Sequence, residues 1–235
     1  MKTKIGIFDS GIGGFSILTE LKKRLPNEDF IYIADNKNNP YGDKTTEELC
    51  LITSQIVERL KKEGCKIIVI ACNTATTVCM RYLKEKYKEI IFVGTVPAIK
   101  VAFDKNYKNI LVLSTKATAN SKRVNELIIN NIKKDTSIWV QPCVGLAELI
   151  EKKDSEKTNK LLKKLLTKYK EKQIDAIVLG CTHYSFIKEM VHNHLPNAKI
   201  FDGAIGVSKE VKRQLEQNSL KVQDKTPGEI TIIES

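Results

Sequence analysis

Short apolar runs, each about one buried strand long, recur along this chain and are separated by segments with helical periodicity. Ile67-Ile68-Val69-Ile70-Ala71 and Ala176-Ile177-Val178-Leu179-Gly180 carry no polar side chain on either face. Such a strand needs cover above and below, which parallel sheets obtain from the helices that connect their strands. Strands are predicted at residues 4–8, 30–34, 66–71, 90–94, 109–113, 137–141, 176–180, 199–201 and 229–233. Helices are predicted at residues 15–24, 46–63, 74–86, 120–133, 156–172, 186–193 and 205–217, with Thr45-Thr46 as a cap region. This alternation is that of βαβ units and places the chain in the α/β class.

A chain of 235 residues accommodates one large or two small domains of this kind. A weak internal repeat favours two. Asp9 precedes Cys72 by 63 positions and Thr115 precedes Cys181 by 66, and in each half an apolar strand ends in a polar turn before the thiol strand arrives. The expected architecture is two pseudo-symmetric α/β domains with largely parallel sheets and an interdomain active-site cleft. Residues 1–96 plus 209–235 form the first domain and residues 97–208 the second. The crossover falls near Pro97, and the helix from Ile205 returns the chain to the first half.

Composition removes several classes. Hydrophobic residues make up 42% and charged residues 29%, an ordinary globular balance. No apolar run approaches the ~20 residues that span a bilayer. The first strand is too short for a signal-peptide core and is interrupted by Asp9, so a cytoplasmic protein is expected. The net charge of +11 (39 Lys and Arg against 28 Asp and Glu) is mostly lysine spread over residues 160–172 and 209–221. Without clustered arginine, an aromatic RNA-binding motif or a helix-turn-helix signature, it reads as a solvated surface and predicts no specific nucleic-acid partner. Six cysteines at this length, with no export signal, are expected to be free thiols. Cys50, Cys65, Cys79 and Cys143 read as small buried residues. No CxxC pair occurs and no cysteine neighbours His192 or His194, so no metal site is expected.

The remaining two thiols fall where an open α/β sheet presents side chains to a ligand, at the C-terminal ends of strands. Cys72-Asn73-Thr74 ends one apolar run and Cys181-Thr182-His183 another. If their strands are near neighbours, Asp9 approaches Cys72, where a carboxylate can accept or orient the thiol proton. A helix beginning at Thr74 would set Cys72 near its positive end. His183, two residues beyond Cys181, would share its face on an extended segment. Ser10, Asn73, Thr74, Thr115, Thr118 and Thr182 add small polar groups at strand ends. Each is compatible with a helix cap, and together they suit a polar ligand cleft. The loop Gly11-Ile12-Gly13-Gly14 matches neither GxGxxG nor a P-loop.

At these residues the chain resembles a known family. Phe8-Asp9-Ser10-Gly11-Ile12-Gly13-Gly14, Pro40-Tyr41-Gly42, Ala71-Cys72-Asn73-Thr74-Ala75-Thr76 and Leu179-Gly180-Cys181-Thr182-His183-Tyr184 are similar to the glutamate racemases, a branch of the cofactor-independent aspartate/glutamate racemases. The resemblance runs from Ile5 to about Ser208. It implies interconversion of L- and D-glutamate by two-base proton transfer at the α-carbon, with no cofactor, supplying D-glutamate for peptidoglycan. It further implies Cys72 and Cys181 as the two bases, with Asp9 and His183 assisting them. Ser10, Tyr41, Gly42, Asn73, Thr74, Thr182 and His183 match substrate-binding positions, and Thr115, Thr118 and Glu151 resemble further cleft residues. A homodimer is also implied. Two departures stand out: the loop 35–39 is more polar than the family's usual segment before Pro-Tyr-Gly, and relatives commonly continue past Ile233 into another helical segment. A racemase for another amino acid such as aspartate, a cysteine hydrolase built on Cys181 and His183, and a basic nucleic-acid-binding protein are the competing readings.

Overall fold

The computed structural model describes residues 4–235. Two compact units emerge, one holding the chain up to Thr95 together with Ala204–Ser235, the other Val96–Gly203. The sequence reading placed the return to the first unit at residue 209. The helix that opens it begins at Ala204 and belongs to that unit throughout.

The first unit runs β1 (Lys4–Asp9), α1 (Phe15–Arg24), β2 (Phe30–Ala34), α2 (Thr46–Lys62), β3 (Cys65–Ile70), α3 (Asn73–Lys86) and β4 (Ile91–Gly94). The second runs α4 (Ile99–Asp104), β5 (Asn109–Ser114), α5 (Lys116–Ala119), α6 (Lys122–Ile129), β6 (Ser137–Pro142), α7 (Leu146–Glu151), α8 (Ser155–Leu166), β7 (Ala176–Gly180), α9 (Lys188–His194) and β8 (Lys199–Phe201). The chain then rejoins the first unit through α10 (Ala204–Gln217) and β9 (Ile230–Glu234).

Unit 1 holds a five-stranded sheet in the order β4-β3-β1-β2-β9, and unit 2 a four-stranded sheet in the order β6-β5-β7-β8. Every pairing is parallel. Read from the other edge, β8-β7-β5-β6 repeats β4-β3-β1-β2, so β9 is what unit 1 adds.

Alternation along each strand explains the layering. In unit 1, Phe8, Ile31, Ile33, Ile68 and Ile70 pack with Leu49, Val57 and Leu60 of α2 and Ala75, Cys79 and Leu83 of α3. Their neighbours Ile5, Ile7, Phe30, Tyr32, Ile67 and Val69 face Ile17 and Leu21 of α1 and Val207, Val211 and Leu215 of α10. Unit 2 is built likewise, with Leu111, Leu113, Ile177 and Leu179 against α7, α8 and α9. Its other face sets Ile110, Val112, Ala176 and Val178 against α4 and α6. Each such aliphatic side chain contributes about 1.5–3 kcal/mol on full burial. No described helix is long and apolar enough to cross a membrane.

Several predicted helices are shorter than expected. The segment 120–133 is an α-helix only over α6, which starts after Ser121 accepts from Val124 N, while α5 occupies the segment just before it. The segment 156–172 ends as α-helix at Leu166 and continues as a 3-10 turn. The segment 186–193 begins as a 3-10 turn over Thr182–Ile187. The short helices α4 and α7 were not predicted. The Thr45 cap is present as a capping box, with Thr45 Oγ1 accepting from Glu48 N and the Glu48 carboxylate accepting from Thr45 N.

Candidate active site

In unit 1 the register sets Phe8 opposite Ile70, and Ala71 N donates to Phe8 O over 2.9 Å. Continuing that register brings Asp9 level with Ala71 and Ser10 level with Cys72. Asp9, Ser10, Cys72, Asn73 and Thr74 are all buried. Cys72 is extended, at φ −70° and ψ 124°, and immediately precedes α3, so its thiol lies near the positive end of a 14-residue helix. The first helical bond, Thr76 N to Cys72 O at 2.9 Å, ties the thiol residue to α3. Thr76 Oγ1 donates to Ile70 O and accepts from Thr95 N, each at 3.1 Å, which fastens the helix start to the strand end. The Asn73 side-chain oxygen is buried with no hydrogen-bond partner among the described residues, an acceptor open to a donor.

Gly14 explains how the glycine turn reaches this corner. A Cβ there would stand 3.0 Å from both Asp9 Cβ and Ala71 Cβ and 2.6 Å from the Tyr32 hydroxyl. Tyr32 itself donates to Gly11 O over 2.7 Å and stacks on Phe15 with ring centroids 4.6 Å apart. The turn is thus clamped beside Asp9, and Gly14 serves close packing there.

Tyr41 and Gly42 lie on a 3-10 turn, Tyr41–Asp43, that follows the cis Asn39–Pro40 peptide. The Tyr41 hydroxyl donates to Asp35 Oδ2 over 2.7 Å. Asp35 also accepts from Asn38 Nδ2 at 2.9 Å and from Ser235 Oγ at 2.9 Å. Burial holds the Tyr41 phenol far above the ordinary tyrosine range, with the charge and hydrogen bond of Asp35 next and the neighbouring Cys72 and Asp9 adding to the effect. Sequence reasoning took Asp35 only as the start of a polar loop. As the anchor of Tyr41 it also holds Ser235, 200 positions away in sequence.

In unit 2, Ser114 pairs with Gly180, so Thr115 is level with Cys181. Ser114 therefore occupies the place of Asp9, and Thr115 that of Ser10; the sequence spacing had matched Thr115 with Asp9. Ser114 Oγ is buried with no hydrogen-bond partner among the described residues. Cys181 is extended and leads into the 3-10 turn Thr182–Ile187. His183 is therefore not on an extended segment, and the turn brings it to the thiol instead, with Nδ1 3.8 Å from Cys181 Sγ. Its Nε2 forms a short bond to Glu151 Oε2, at the end of α7. With the Nε2 hydrogen on that carboxylate, Nδ1 presents a lone pair toward the thiol. Thr182 and His183 are buried and Glu151 is half-buried.

Thr115 and Thr118 have a local structural role. Thr115 Oγ1 accepts from Thr118 N at 3.2 Å and lies 3.1 Å from Thr118 Oγ1, capping α5. Among the remaining thiols, burial pushes Cys65, Cys79 and Cys143 up to about 12, which keeps them protonated at neutral pH. Cys50 is half-buried.

Two wholly parallel sheets with matching strand order, each setting a thiol at the C-terminal end of the strand beside its central one, define an α/β protein with paired thiol corners. The chain belongs to the Asp/Glu/hydantoin racemase family, whose model matches residues 17–207. It is 44% identical to the glutamate racemase of Clostridium novyi, over 100% of this chain and 92% of that protein. Among solved structures it is similar to the glutamate racemase of Francisella tularensis in complex with D-glutamate (TM-score 0.85, 30% identity, 99% of this chain and 88% of that one). It is also similar to that of Escherichia coli in complex with L-glutamate and an activator (TM-score 0.84, 28% identity, 98% and 89%).

Proposed function

We propose that this chain interconverts L- and D-glutamate by passing the α-proton between two cysteines. The observation that carries the reading is the matched pair of thiol corners in a chain that aligns along its whole length with a glutamate racemase. The α-proton of an amino acid is a very weak acid. One thiolate removes it, the electron pair remains on the α-carbon, and the opposite thiol returns a proton to the other face. Roles exchange with direction, so the reaction requires Cys72 and Cys181 to address opposite faces of one carbon. A free cysteine has a pKa of about 8.5, which leaves a small thiolate fraction at neutral pH, and a pre-positioned base or acid speeds proton transfer by about 10²–10⁴.

Asp9 serves the proton of Cys72, and His183, oriented by Glu151, that of Cys181. Ser10, Asn73, Thr74 and Thr182, with the Tyr41-Gly42 turn, hold the substrate's polar groups and stabilise the developing negative charge. Thr115 and Thr118 contribute through the local cap they form. The D-glutamate goes to peptidoglycan synthesis, and the protein works in the cytoplasm as a homodimer. Light scattering at working concentration checks the last point, a dimer mass being the expected result.

Solvent-deuterium incorporation at the α-carbon of each glutamate enantiomer tests the chemistry, using the wild type, Cys72→Ser and Cys181→Ser. The expected result is exchange with inversion in the wild type and severe loss of racemisation in both variants. If Cys72→Ser retained full racemisation, the two-base reading would be wrong. Exchange on L-aspartate in place of glutamate would move the substrate to the neighbouring amino acid.

A further inference from the structure

Two cysteines outside both thiol corners lie in contact. Cys50 on α2 and Cys79 on α3 have their sulfurs 3.4 Å apart, with the Cys50 thiol donating to Cys79 Sγ. We propose that Cys50 and Cys79 form a redox-reactive dithiol, a modification site at which a hydroperoxide closes a disulfide between α2 and α3. Bonded sulfurs sit at about 2.0 Å, so closure asks for a shift of the order of one bond length between two side chains already facing each other on packed helices.

Access differs between the two sulfurs in the way such a reaction needs. Cys50 is half-buried and lines an open surface groove of about 480 Å³, together with Thr46, Leu51, Val78, Arg81 and Tyr82. Cys79 is fully buried behind it. The oxidant therefore meets Cys50 first. Its thiolate attacks one peroxide oxygen, the O–O bond breaks, and the departing hydroxide leaves as water with the proton given up by Cys50. Cys79 Sγ then attacks the sulfenic sulfur. The S–S bond forms as the S–O bond breaks, and the hydroxide carries off the Cys79 proton as a second water. Two thiol sulfurs are oxidised and one peroxide is reduced. Burial keeps Cys79 protonated until that moment, which suits a resolving partner more than a first nucleophile. The link would bracket β3 and the start of α3, the segment that carries Cys72, Asn73 and Thr74.

The folded protein is treated with limiting hydrogen peroxide, alkylated without reductant, digested and mapped by mass spectrometry. The expected product is a Cys50–Cys79 linked peptide that appears before Cys72 or Cys181 is modified. It comes with loss of two free thiols, a raised melting temperature and reversal by dithiothreitol. Cys79→Ala should stop at a Cys50 sulfenic acid that dimedone traps, and Cys50→Ala should leave Cys79 unoxidised. The proposal fails if the linked peptide is absent from folded wild type or forms only after unfolding in urea. It fails equally if Cys143 and Cys181 link in preference.

Discussion

In unit 1 the thiol strand hands over at once to a long α-helix, and the neighbouring strand ends in the acidic residue Asp9, level with Ala71 just before the thiol. In unit 2 the thiol strand hands over to a 3-10 turn, and the group beside the thiol is His183 from that turn, held by Glu151 from a different helix. The sheet registers are alike. Where unit 1 has Asp9, unit 2 has Ser114, and the polar partner is supplied from the chain after the thiol instead of the strand before it. A repeated sheet thus fixes where a thiol stands, while the choice of its partner is left to whichever segment the sequence folds over the strand end. The two corners are equivalent in position and different in chemistry.

The largest effects should come from exchanging those partners one at a time. His183→Asn should lower racemisation by about 10²-fold or more and slow iodoacetamide alkylation of Cys181, with Cys72 alkylation unchanged; Asp9→Asn should give the mirror pattern. If either substitution alters both thiols equally, the corners are not independent. Next comes Gly14→Ala, which forces a methyl group against Asp9, Ala71 and Tyr32. A cost of about 1–3 kcal/mol is expected from such overpacking, read as a lower urea midpoint.

Thr115→Ala sharpens the comparison further, because Thr115 caps a helix in unit 2 where no side chain caps α1 in unit 1. A loss of about 1 kcal/mol of stability is expected with KM for glutamate nearly unchanged; a KM effect at full stability would make Thr115 a substrate contact instead. The smallest effect concerns His194, at the far end of the unit 2 sheet. Burial first, then Lys170 and Lys163, hold its pKa below the ordinary histidine value. The unfolded chain then binds more protons, so stability rises with pH across that window. It is lost as pH falls below about 6.5. His194→Gln should flatten that limb of a melting-temperature profile.

The α/β class was legible because the strands are uninterrupted apolar runs, a signal that survives without tertiary context. Cys72 and Cys181 were legible for the same reason, since they end those runs. The short helices α4 and α7 escaped because six residues, as in Leu146–Glu151, hold too little periodicity to register. Pairing Glu151 with His183 spans 32 positions and no local rule links them; only the resemblance drew attention to Glu151. Asp35 and Gly14 were missed as site-shaping residues for a related reason. One acts through Tyr41 and Ser235, the other through the space it leaves unfilled. Thr115 and Thr118 were legible as strand-end polar residues compatible with a helix cap, and that cap is present on α5.

The order in which strands leave the ribosome has a consequence for this topology. Unit 2 is continuous in the chain, and its four strands are all made before α10 begins. Unit 1 lacks α10, which covers one face of its sheet, and β9, which pairs with β2, until all of unit 2 has been made. Since N-terminal segments fold as they are completed, the later-encoded unit can close first while the earlier one waits with Ile5, Ile7 and Tyr32 partly uncovered. The half of the molecule that carries Cys72 is therefore the one most dependent on a protected interval during synthesis.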